Sequence, residues 1–106
     1  GYQRPNARSA VGILPSGDVL FVLAAQVPGQ GRDSGVSLPE LAAILRQQGA
    51  TKAMNLDGGS SAAMYYQGEL FFGQVNEAGA PVERAVKSVL WVTAPKPNSG
   101  TTKPGN

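Results

Sequence analysis

Cysteine and histidine are both absent from this 106-residue chain, and the two absences remove a large block of chemistry. Without thiols there is no disulfide framework, no thiolate nucleophile and no zinc cluster of the usual kind; without imidazole there is no histidine base. Lack of cysteine fits any compartment, so it does not locate the protein. Long hydrophobic runs are missing too. Nothing approaches the roughly 20 apolar residues that span a bilayer as a helix, and no signal-peptide pattern opens the chain. Charge of one sign never accumulates: nine Lys and Arg stand against seven Asp and Glu, a net charge of +2. No basic residue has a basic neighbour, which leaves nucleic acid and membrane surfaces without an electrostatic footprint. Any catalysis falls to carboxylates, hydroxyls, Arg, Lys or backbone amides.

What is present reads as one domain with a modest core, 42% hydrophobic and 15% charged. A first residue of Gly rather than Met suggests a processed chain or an excised fragment. Two apolar stretches, 8–14 and 19–25, flank the turn residues "PSGD" and predict a hairpin. The unbroken apolar character of the second strand predicts a central place in the sheet. A Gly-rich loop, 26–35, precedes "SLPELAAILRQQG", in which Ser37 and Glu40 have capping-box spacing, Pro39 falls in the first turn and Gly49 stops the helix. This predicts a helix over 38–48 with an apolar stripe of Leu38, Leu41, Ala42 and Leu45. Further strands are expected at 52–56 (buried), 61–66, 69–72 and 85–92, with 67–68 as a turn. Tyr65 and Tyr66 should point to opposite faces, one into the core. Residues 95–106 have the Pro/Gly-rich composition of a tail, leaving 1–94 as the domain. The fold class is α+β: a mixed or antiparallel sheet with one main amphipathic helix.

Between two of these strands lies "NLDGGSS", residues 55–61. Asp-Gly between apolar runs is a strong hairpin signal, and a plain turn is one reading. The other is a site: glycine admits a ligand close to the backbone, and successive amides in such a turn form an anion-binding concavity. No Lys follows the glycines, so neither a P-loop nor a dinucleotide fingerprint is present. Arg8 and Arg84 each stand just outside an apolar strand, where they are solvated end charges, partners of Asp57 and Glu83, or forked ligands for phosphate or carboxylate. Glu83 stands beside Arg84, where an exposed loop carboxylate is ordinarily just solvated.

Read in order, "ARSAVGI", "DSGVSLPELAAILRQQGATKAMNLDGGSSAAMYYQG" and "ERAVKSVLWV" resemble the phosphodiester glycosidase family, bacterial members most closely, over about residues 7–93. Three departures stand out: Ser60 replaces a third glycine, Ala85 replaces a proline, and Gln26 stands where an acidic residue often ends the second strand. The resemblance covers the C-terminal portion of a larger domain, and implies that the remainder, or a second copy of the chain, is a partner. It further implies hydrolysis of a sugar-1-phosphodiester, on cell-surface or exported glycans outside the cytoplasm. Cleavage at an anomeric carbon can proceed on carboxylates without imidazole. Asp57 and Glu83 would be catalytic, while Arg8, Asn55, Gly58, Gly59, Ser60, Ser61 and Arg84 would bind the sugar phosphate. No cofactor or metal is expected, although Asp57 with nearby carbonyls could hold a hard divalent cation. The alternative is a non-catalytic carbohydrate- or cell-wall-binding module on the same fold.

Overall fold

The computed structural model describes residues 3–30, 33–84 and 88–90. Strands β1 (Arg8–Ile13) and β2 (Val19–Ala24) form the expected antiparallel hairpin, closed by a turn in which Leu14 and Asp18 pair through their backbones at 2.9 Å. Helix α1 (Leu38–Gln47) follows and leads to β3 (Lys52–Gly58), which pairs antiparallel with the other side of β1. The sheet order is therefore β2-β1-β3. A separate hairpin joins β4 (Ala63–Tyr66) to β5 (Glu69–Phe72). Its two turn residues, Gln67 and Gly68, both have positive φ, the hairpin turn whose twist matches that of its strands. One helix with two small antiparallel sheets makes the molecule α+β.

Helix α1 starts and stops where its local chemistry dictates. The Ser37 backbone N–H donates to Glu40 Oε1 at 2.8 Å, and the Glu40 N–H donates back to Ser37 Oγ at 3.2 Å. At the other end Ala50 N–H reaches Leu45 O and Gly49 N–H reaches Arg46 O, both at 3.0 Å, the paired bonds of a Schellman stop. Leu41 and Leu45 are buried and meet Ala10 of β1, with Leu20, Val22, Val36, Leu38 and Ala50 packed around them. Ala42, expected in this stripe, is exposed. Gly12 makes the close approach possible: a Cβ there would lie 3.0 Å from Ala50 Cβ and 3.2 Å from a Leu45 methyl.

The capping bonds hold the Glu40 carboxyl below its ordinary pKa of 4.5, chiefly through the Ser37 backbone N–H and then the Ser37 hydroxyl. A depressed pKa in the folded state gives a contribution that is present above the unfolded value and lost as pH falls through the folded one. Thermal melts should therefore show an acid-dependent loss as pH falls below that ordinary value of 4.5 that shrinks in Glu40→Gln, which keeps an acceptor but does not titrate. Identical acid profiles for the two proteins would contradict this.

Several expectations need correction. β2 lies at the sheet edge among the described residues and β1 is central; β1 is able to pair on both sides because its burial alternates cleanly, with Arg8, Ala10 and Gly12 turned in towards α1. β3 is exposed along most of its length, Met54 included at 58%, since α1 packs over β1. Tyr65 and Tyr66 are both exposed, at 72% and 59%, because β4 pairs only with β5 among the described residues. Of the strand expected over 85–92, residues 88–90 are irregular and exposed; the rest, and the tail from 95, lie outside the described residues. No helix among the described residues is long and apolar enough to cross a membrane.

Candidate functional site

The "NLDGGSS" stretch is not the tip of a hairpin. β3 continues through Asp57 to Gly58 and ends beside the start of β1, where Gly59–Ser61 form a single 3-10 turn. Pairing slips on the way: Arg8 stands opposite Gly58 and Ala10 opposite Asn55, so β3 carries one more residue than β1 over this interval. Such a bulge bends a strand and re-aims its side chains. Ser9 sits across from it and donates its hydroxyl to the Asp57 carbonyl oxygen at 2.6 Å.

The two glycines serve different needs. Gly58 has extended backbone, and a Cβ on it would lie 3.0 Å from the Ala7 carbonyl oxygen, the same oxygen that accepts the Gly59 N–H at 2.8 Å. Gly59 has a φ of +57°, a left-handed conformation that side chains disfavour. Beneath the turn, Ala7 and Ala62 are fully buried, and a Cβ on Gly73 would come within 2.8 Å and 2.9 Å of their Cβ atoms. Three small residues let three segments converge under the turn.

Arg84 reaches this end of the molecule from the C-terminal side, its Nη1 donating to Ser60 Oγ at a long 3.4 Å. Arg84, its neighbour Glu83 and Asp57 are exposed, while Ser60 and Ser61 are half-buried. Among the described residues the Asp57 carboxylate has no hydrogen-bond or ion-pair partner, and no group of three or more carboxylates gathers. Arg8 is buried on the α1 side, where its Nε donates to Val36 O at 2.6 Å and its Nη2 to Arg4 O at 2.8 Å. These bonds fasten the loop that enters α1 to the sheet. Asn55 lies on a different surface: it lines a groove of about 400 Å³ between α1 and β3, together with Leu41, Leu45 and Met54.

The structure thus brings Asp57, Gly58, Gly59, Ser60, Ser61, Glu83 and Arg84 to one end of the sheet. It leaves Asn55 in the helix groove and engages Arg8 with backbone carbonyls. Backbone amides, a hydroxyl and a guanidinium beside a carboxylate can orient an anionic ester and act on it. Sequence reasoning did not single out Ser9, whose role depends on the register of two strands 48 residues apart. Gln26 is buried, and its Oε1 accepts the Val75 N–H at 3.1 Å while its backbone N–H donates to Gly73 O at 2.6 Å. An acceptor oxygen is what that position needs, and an amide supplies it as a carboxylate would.

A β-bulge that ends in a glycine turn thus carries the Asp57 carboxylate, and Arg84 meets the turn at Ser60. The family model of phosphodiester glycosidases matches residues 1–93, and the chain belongs to that family. The N-acetylglucosamine-1-phosphodiester alpha-N-acetylglucosaminidase of Mus musculus is 42% identical over 65 residues, which are 61% of this chain and 12% of the mouse protein. The chain therefore spans a small part of that relative's length. No solved structure matches the chain.

Proposed function

We propose that this chain contributes to the hydrolysis of a sugar-1-phosphodiester, with the reacting centre at the Asp57–Ser61 turn. The reading is supported by family membership and by the name of the mouse relative, an N-acetylglucosaminidase of 1-phosphodiesters. The observation that carries it is the Arg84–Ser60 hydrogen bond, which brings a cation to the turn that follows the Asp57 carboxylate. In the reaction, water adds its oxygen to the anomeric carbon, the bond from that carbon to the phosphoester oxygen breaks, and a phosphomonoester leaves as a stable anion. Asp57 takes the water's proton, or itself attacks the carbon before water replaces it. Glu83 is the second carboxylate available to the reaction. Arg84, the Ser60 hydroxyl and the amide of Ser61 hold the phosphate. The substrates would be cell-surface or exported glycans, met outside the cytoplasm.

Arg84→Gln is expected to raise KM for a sugar-1-phosphodiester about tenfold or more, because charged hydrogen bonds contribute about 1.5–3 kcal/mol. An unchanged KM would contradict the assignment. A second reading, a carbohydrate-binding module without turnover, is favoured by the exposure of the Asp57 carboxylate. Glycan binding with no sugar release in the same assay would select it.

A further inference from the structure

We infer that the side-chain amides of Asn6 and Gln74 form a hydrogen-bonding pair that recognises an uncharged donor–acceptor group on the sugar ring, beside the phosphate position. The inference rests on the sugar-phosphodiester reading above and adds a second half to that site. Neither residue stands out in the sequence. They come together at Gly59: a Cβ on that residue would lie 3.7 Å from Gln74 Oε1 and 3.8 Å from Asn6 Nδ2. The missing side chain leaves a small space bordered by an amide nitrogen and an amide oxygen. Among the described residues neither of these two atoms has a hydrogen-bond partner.

Both residues are held in place before any ligand arrives. Asn6 exchanges backbone bonds with Val36, at 3.1 Å and 2.9 Å, and its Oδ1 accepts the Ala7 N–H at 2.8 Å. A backbone N–H can only donate, so the atom it meets is the oxygen, and Nδ2 is the end left towards Gly59. Gln74 sits between two anchored neighbours, Gly73 bonded to Ala62 O at 2.9 Å and Val75 to the buried Gln26 at 3.1 Å. Its own carbonyl accepts the Val82 N–H at 2.8 Å. These bonds anchor both backbones, and the Oδ1 bond anchors the Asn6 side chain as well, which limits the freedom lost on binding.

The chemistry of the pair decides what it takes. An amide oxygen disfavours a phosphate, which has only acceptors to offer, whereas a hydroxyl or an acetamido group can donate to Gln74 and accept from Asn6. The cation lies one residue further on, at Ser60 and Arg84, and adjacent Cα atoms are about 3.8 Å apart. That separation suits a ring substituent and an anomeric phosphate of the same sugar, so the two halves together would orient the anomeric carbon relative to Asp57.

The test is calorimetric titration of the full chain with the methyl phosphodiesters of glucose 1-phosphate and N-acetylglucosamine 1-phosphate, and with inorganic phosphate. Gln74→Met removes the amide at similar length, and Asn6→Ser keeps a short oxygen for the Ala7 N–H while removing Nδ2. Each variant should weaken binding of the sugar diesters about tenfold, with inorganic phosphate affinity and melting temperature unchanged. Loss for both diesters identifies a hydroxyl; loss for the N-acetyl compound alone identifies the acetamido group. Diester binding as tight as in the unaltered protein, or an equal loss for phosphate, overturns the inference. Sugar-dependent loss without turnover sinks only the hydrolase reading, and no diester binding by the unaltered protein sinks both.

Discussion

Asp57→Asn is expected to abolish release of sugar from a sugar-1-phosphodiester while leaving the melting temperature nearly unchanged. The substitution keeps the side chain's shape and removes its charge and basicity. General acid–base groups contribute roughly 10²–10⁴-fold to rate, and a nucleophile that cannot attack loses more. The fold should not notice. The Ser9 hydroxyl bonds to the Asp57 backbone carbonyl rather than to its carboxylate, and the carboxylate itself is exposed without a partner among the described residues. Steady-state assay and thermal melts of the same preparation check both halves. Full turnover would remove Asp57 from the chemistry. A collapse of stability would make it a structural residue.

Leu45→Ala should have the largest effect on stability. Leu45 is 4% exposed and closes the small core formed by Ala10 and Leu41, with a methyl against Gly12. Little else is buried among the described residues to compensate, and β1 is held by pairing on both sides. Truncation of a buried leucine costs about 2–5 kcal/mol, a large part of the 5–15 kcal/mol typical of a whole domain. Denaturant melts measure it. A loss below about 0.5 kcal/mol would mean the leucine packs against nothing that matters.

Local chemistry made part of this structure legible in the sequence. The limits of α1 follow from Ser37, Pro39, Glu40 and Gly49, residues whose partners lie within one turn, and the two hairpins follow from turns at 15–18 and 67–68. Burial was less legible. Residues 19–25 read as a central strand and 52–56 as a buried one, but strand order and cover depend on which partners are at hand, and both strands flank β1 instead. The period-2 rule places Tyr65 and Tyr66 on opposite faces without saying whether either face is covered; neither residue is buried. For the site, "NLDGG" could be found as a string, yet whether it was a hairpin tip or the end of a strand depended on Arg8 pairing with Gly58. Asn55 shows the cost of reading a string as a unit. Two residues from Asp57, it lines a different surface. Ser9 acts through a contact with Asp57 that spans 48 residues, while Asn6 and Gln74 reach the Gly59 turn from opposite directions along the chain, and no local pattern encodes them.

The proposed hydrolysis breaks the bond between the anomeric carbon and oxygen, not that between oxygen and phosphorus. Hydrolysis of a sugar-1-phosphodiester in water enriched in heavy oxygen tests it most directly, with mass spectrometry of both products. Attack at carbon places the label on the released sugar and leaves the phosphomonoester unlabelled, which is the result the account predicts. Label in the phosphate would mean attack at phosphorus, and the turn at Asp57–Ser61 would then serve a phosphodiesterase rather than a glycosidase.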